Sequence, residues 1–181
     1  GPEVGVCYCR FVYRDAAGKE CVVGSPAAEG ASPRAALLRE NFIDTSVVVV
    51  RTELIHRVGG FDERLPRLQD WDLWLRLAEG TRFAFLDDTL VTTEFSAGGI
   101  STRSDALVAA CSHLDAKLGA RLGRRERALW TCTLGHTLMT GGAPHWGRAF
   151  LWRAALRHPG SLRRLSLAAL STLGEGPYNA L

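Results

Sequence analysis

Apolar and polar positions change rhythm partway along this chain. From Val4 to Tyr13 they alternate in a run rich in β-branched and aromatic side chains, which predicts a strand with two distinct faces. Arg14 to Gly18 has turn chemistry, and Glu20 to Val23 reads as the second arm of a hairpin. After a small, polar loop, Ser32-Pro33 supplies an N-cap and a first-turn proline for a helix to about Glu40. Ile43 to Val50 ends in four consecutive valines, a pattern expected of a strand buried on both faces. Thr52 can cap a short helix from Glu53 to Val58, with Gly59 as its left-handed C-terminal residue. Another helix is predicted from about Asp70 to Glu79. Arg82–Leu86 and Leu90–Phe95 then read as two strands around an Asp87-Asp88 turn.

Beyond Ser101 the period becomes helical and stays so, over about 104–118, 124–140, 144–157 and 161–172. The predicted fold class is therefore α/β, with a mixed α/β segment over 1–102 followed by an all-helical C-terminal extension over 103–181. Within the extension, Leu134-Gly135, Leu138, Gly147, Leu151, Ala154 and Pro159 fall on the small and apolar positions of one tetratricopeptide-like helix pair. Gly141-Gly142-Ala143-Pro144 is the turn between them. About three such repeats are needed for independent stability, so one pair is expected to pack on other parts of the chain or on a partner.

Composition adds less than patterning does. Of 181 residues, 46% are hydrophobic and 23% charged, enough apolar side chain for a real core. The formal net charge is only +3, yet basic residues cluster at Arg121–Arg127 and again from Arg148 to Arg164. A solvated helical face accounts for such a cluster; an anionic membrane surface or self-association through the basic tail is the sharper alternative. Nucleic acid is not expected, because no interleaved basic and aromatic array is present to stack bases. The five cysteines are odd in number and lack metal-ligand spacing, which points to reduced thiols and a cytoplasmic setting, with the inner membrane face as a peripheral location. No stretch approaches the roughly 18 apolar residues of a membrane span, and no secretory signal opens the chain. The chain's only methionine is Met139, so a chain that opens directly into a strand reads as a piece of something longer.

The chemistry concentrates between Gly59 and Arg76. Gly59-Gly60-Phe61-Asp62-Glu63 forms a glycine turn, and Gln69-Asp70-Trp71-Asp72-Leu73-Trp74-Leu75-Arg76 opens a helix with two carboxylates in its first turn. Unpaired N–H groups and partial positive charge at a helix N-terminus favour ionised carboxylates. Such a carboxylate beside Trp71 and Trp74 could act as a general base next to a flat platform for a sugar ring. The milder account has Asp70 capping the helix, Asp72 exposed and both tryptophans in the core.

These motifs resemble the second half of the family-two bacterial glycosyltransferases, inverting enzymes of GT-A fold that use nucleotide-diphosphate sugars. Asn41-Phe42-Ile43-Asp44-Thr45-Ser46, the valine run and Arg51 resemble the segment before the glycine turn, and Leu90–Ser101 the close of the transfer domain. The resemblance covers about residues 3–102. It implies a partial GT-A (Rossmann-like) mixed sheet half that carries the acceptor side of the enzyme, and cell-surface polysaccharide or glycan synthesis as its role. It implies that Asp70 is the catalytic base. Gln69 stands where the family carries glutamate. Gly59, Gly60, Asp62, Gln69, Trp71 and Trp74 are the implied substrate-side residues, with Asp62 better suited to holding the turn.

The intact family enzyme uses a divalent ion, Mg or Mn, held by an Asp-x-Asp motif in a donor half that these residues do not include. Asp87-Asp88 lies on the wrong side of the motif to replace it. At Ser96, where many relatives carry a metal-binding histidine, the sequence reads Glu94-Phe95-Ser96-Ala97-Gly98, and His56, His113, His136, His145 and His158 lack metal-ligand spacing. The implied partners are a nucleotide sugar and a glycan or lipid-linked acceptor, with this chain inactive alone. The competing expectation is a non-catalytic protein-binding or membrane-surface module that uses the helical tail.

Overall fold

The computed structural model describes residues 3–26, 32–94 and 103–179. The chain divides into two compact units, Gly1–Arg64 with Gln69–Gly99, and Leu65–Leu68 with Ile100–Leu181. The first is mixed α/β. Its strands are β1 (Val4–Arg14), β2 (Glu20–Val23), β3 (Val48–Val50) and β4 (Arg82–Glu94), and its helices α1 (Pro33–Leu37), α2 (Thr52–Arg57) and α3 (Gln69–Leu77).

β1 is the central strand. One edge pairs antiparallel with β3 through Val6–Tyr8 and with β2 through Phe11–Arg14, while the other pairs parallel with β4 along its length. Alternation then sends β1 side chains to two apolar layers. Cys9 and Phe11 pack with Val47, Tyr13 and Val91. Tyr8 meets the rings of Phe42 and Phe85 at 5.7 and 5.2 Å and donates its hydroxyl to Ser25 O at 3.0 Å.

Two sequence expectations fail in this sheet. Arg82–Glu94 is one strand and contains no hairpin: Leu86 pairs with Cys9 and Thr89 with Arg10, so Asp87-Asp88 forms a bulge against β1. Arg10 bonds Asp87 and Gly24 O, which ties the bulge to the neighbouring strand. The valine run is not a strand buried on both faces either. Asp44 accepts from Ser46 N at 2.8 Å and caps a 3-10 turn over Thr45–Val47, which leaves three residues to pair. Val49 is 75% exposed. The predicted strand residue Phe95 and the Ser96–Gly98 stretch lie outside the described residues.

The helical unit follows expectation closely: α4 (Ser104–Gly119), α5 (Arg124–Thr140), α6 (Pro144–Arg157), α7 (Leu162–Ser171) and a further short α8 (Glu175–Asn179). Gly135 lies against Phe150 and Leu151, and Gly147 against Met139, so α5 and α6 run antiparallel in a tight pair. A Cβ at Gly147 would stand 2.7 Å from Met139 N and 2.8 Å from Gly135 O, closer than real contacts allow. Small residues thus let the two backbones meet. Met139, Leu151, Ala155, Ala168 and Tyr178 form a buried cluster across α5 to α8. All five cysteines are unpaired. Among the described residues no helix is long and apolar enough to cross a membrane.

Candidate functional site

The glycine turn is a helix terminator of defined geometry. Gly60 N donates to Ile55 O and Gly59 N to His56 O, the paired bonds of a Schellman motif at the end of α2. Gly59 and Gly60 hold φ of 84° and 71°, left-handed values that a side chain adopts only with strain. A Cβ at either position would project into open space. Backbone conformation, not close packing, therefore requires glycine here, and the turn presents an uncovered backbone. Arg51, ahead of α2, donates from Nε to Val4 O at 2.9 Å and holds the helix start to β1.

Asp62 follows the turn. Its carboxylate receives Arg64 Nε and Nη2, each at 2.9 Å, and Arg64 N at 3.2 Å. These bonds close a local turn, which is the role the residue type favoured.

α3 opens at the half-buried Gln69. Leu68, just before it, holds φ of 61°, a left-handed conformation that costs a non-glycine residue about 1–2 kcal/mol. The helix then drives one face inward. Trp71 and Trp74 are 1% and 2% exposed, and their indole N–H groups donate to Leu37 O at 2.8 Å and Ile43 O at 3.1 Å. Buried indoles with satisfied N–H groups are anchors. The expected platform for an acceptor ring is thus turned into the core, where both rings fix α3 against the chain before it.

Asp72 is buried as well, contrary to the exposed first-turn acid in the milder account. Arg76, four residues on, reaches it with Nε at 2.9 Å and Nη2 at 2.6 Å. The same guanidinium donates to Val58 O at 2.6 Å and Gly60 O at 2.7 Å. One arginine therefore locks the helix to the glycine turn. Only the i, i+4 spacing of Asp72 and Arg76 hinted at this brace in the sequence.

Asp70 is the carboxylate of α3 that stays half-buried. Asn41 Nδ2 lies 3.5 Å from each of its oxygens, and Thr45 Oγ1 lies 3.4 Å from Oδ2. The Trp71 amide donates to Oδ1 at 2.7 Å. Burial is the largest influence on this group and pushes its pKa up. Nearby Asp44 pushes the same way, against the Trp71, Asn41 and Thr45 donors. The helix N-terminus favours the ionised form of Asp70, and burial opposes it, raising its proton affinity. Asn41 Oδ1 is buried with no hydrogen-bond partner. Asn41 and Thr45 are site residues that the sequence assigned no role. Their place in the stretch ahead of the valine run was the available signal.

No family model, curated protein or solved structure matches this chain. Among the described residues no group of three or more His, Cys, Asp or Glu side chains is placed to hold a metal ion. What the arrangement can do is accept a proton. A half-buried carboxylate with raised proton affinity stands beside an unused amide oxygen and a threonine hydroxyl, on a helix fixed at three points.

Proposed function

We propose that this chain is the acceptor-side portion of an inverting glycosyltransferase of GT-A fold, which transfers a sugar from a nucleotide-diphosphate sugar to an acceptor hydroxyl in cell-surface glycan synthesis. The observation that carries the reading is the placement of Asp70: a carboxylate of raised proton affinity, half-open, on a helix whose other acidic and aromatic side chains are committed to packing. It is supported by the resemblance of Gly59–Arg76 to the corresponding motifs of family-two enzymes.

In this reading an acceptor hydroxyl donates to Asp70, with Asn41 and Thr45 orienting the carboxylate. As the hydroxyl oxygen attacks the anomeric carbon, its proton passes to an Asp70 oxygen. The bond from that carbon to the diphosphate breaks, the nucleotide diphosphate leaves with the bonding electrons, and the configuration inverts. The open backbone of Gly59-Gly60 gives the sugar or acceptor a surface free of side chains. Residues that this chain does not supply hold the nucleotide and the divalent ion, so the 181-residue chain alone is inactive.

The test is Asp70→Asn in the full polypeptide that carries this segment, assayed for sugar transfer. General-base catalysis contributes about 10²–10⁴-fold, and a loss in kcat of that order is expected with KM little changed. Transfer that survives within a few-fold shows that Asp70 is not the base.

A further inference from the structure

α6 is apolar on two sides, and the helical unit covers only one of them. Gly147 lies against Met139 of α5, and Leu151 and Ala155 join the buried cluster that reaches α7 and α8. Ala149, Trp152 and Leu156 lie on the other side, three and four residues apart, so they share one stripe of the helix. Ala149 is exposed, and Trp152 and Leu156 are 39% and 74% exposed. Trp146, at the start of the helix, is 49% exposed. Apolar side chains scattered singly over a surface need no partner, but these recur at helical spacing and two are indoles.

Arginines border the stripe on both flanks. On one, Arg148 donates from Nε to Ser171 O at 3.1 Å. On the other, the Arg153 guanidinium carbon stands 4.5 Å from the Phe150 ring centroid, and Nη1 reaches Asp115 at 3.2 Å. The wider charge is lopsided. Residues 127–174 contain six arginines and no Asp or Glu. Residues 103–181 hold eleven Lys and Arg against four Asp and Glu, a surplus of seven with every acid counted as a partner, whereas residues 1–102 hold eleven against fifteen.

We propose that this face of α6 docks on the surface of an anionic lipid bilayer. Trp152 and Leu156 enter the boundary between headgroups and acyl chains, and the surrounding arginines face lipid phosphates. Exposed indoles beside leucine and arginine are the side chains that settle at that boundary. A second copy of the chain would bring the same positive surplus against itself, which opposes self-association through this face. Contact is shallow, since among the described residues no helix is long and apolar enough to cross a membrane. The inference belongs to the helical unit and stands apart from the sugar-transfer reading of Asp70.

The test is flotation of the whole chain with phosphatidylcholine vesicles, with and without phosphatidylglycerol, at low and high salt. Binding is expected to the anionic vesicles alone and to weaken as salt rises. It should fall about tenfold or more in Trp152→Gln and in Leu156→Gln, either of which suffices if the other fails to fold. Val49→Gln, at an exposed valine of β3, is expected to bind as the parent does. Vesicles with brominated acyl chains supply a second readout. Trp71, Trp74 and Trp130 are buried, so of the five tryptophans only Trp146 and Trp152 are open to quenching, which is expected on binding. Flotation without quenching would mean contact through charge alone and overturns the proposal. So does equal binding to neutral vesicles, or equal binding by the parent and the folded variants. Absence of flotation overturns it as well, and a Trp152-dependent dimer in sedimentation then assigns the face to a second copy.

Discussion

Arg76 is the residue whose loss should be felt furthest from its own position. Replacing it with methionine keeps the aliphatic stem and removes a guanidinium that makes four hydrogen bonds, two to Asp72 and one each to the carbonyls of Val58 and Gly60. The Asp72 side chain is only 5% exposed, so it cannot turn to water for replacement. Breaking one side of such a buried pair costs about 3–5 kcal/mol, most of it the penalty of a buried charge that loses its closest counter-charge. The carbonyls add less, because Val58 and Gly60 are half-buried and can find water. Asp72→Asn should cost about 1–3 kcal/mol, since the arginine keeps its two carbonyls. The double variant should therefore be more stable than the sum of the singles implies, by about 1–3 kcal/mol. Because the chain has two units, the assay is amide hydrogen exchange read residue by residue across α3 and at Gly59 and Gly60. Protection should fall in both places together. A cost below about 1 kcal/mol for Arg76→Met, or strict additivity in the cycle, would refute the brace.

Two further outcomes follow from the same geometry. Gly147→Ala places a methyl group against Met139 N and Gly135 O, backbone atoms that cannot swing away, so it should destabilise the helical unit by about 1–3 kcal/mol in urea denaturation; an unchanged midpoint would show that the pair is not closely packed. Burial raises the Asp70 pKa, so the folded chain binds that proton more tightly than the unfolded chain; the group's stabilising contribution is full below the unfolded pKa and is lost as pH rises through the raised folded value. Asp70→Asn should accordingly raise Tm at neutral pH and leave it unchanged at acid pH below both values, and a variant that melts lower at neutral pH contradicts this sign.

The sequence revealed the helical unit well because its stops are written locally. Gly141-Gly142 and Pro144 separate α5 from α6, and the small residues at 135 and 147 announce a close crossing. The sheet was harder because its pairings are not local. Asp87-Asp88 has the composition of a hairpin turn, yet β1, nearly eighty positions earlier, supplies a parallel partner and an arginine that stabilise a bulge instead. Val47–Val50 has the composition of a core strand. A single capping acid, Asp44, converts its approach to a 3-10 turn and leaves Val49 outside. At the site, the left-handed Gly59 and the start of α3 were legible, because backbone geometry selects those residue types; the left-handed Gly60 was not. Which acid stayed open was not. That depended on which face of α3 met Leu37 and Ile43, a tertiary fact beyond helical spacing.

The division of labour within α3 explains why two acids two residues apart behave so differently. Trp71 and Trp74 hold the helix to the carbonyls of Leu37 and Ile43, and Arg76 holds it to Gly60. With the helix fixed at three points, Asp72 is carried inward to the arginine and its charge is matched. Asp70 is left on the side facing Asn41 and Thr45, held by the Trp71 amide at 2.7 Å and by longer side-chain contacts at 3.4–3.5 Å, with a buried amide oxygen nearby without a donor. A carboxylate matched by a guanidinium has little reason to take a proton, whereas one desolvated without a cation gains proton affinity. If Asp70 serves as a base, the burial that costs the fold stability is the source of its raised proton affinity. The anchors on α3 hold that group in place at the edge of the core.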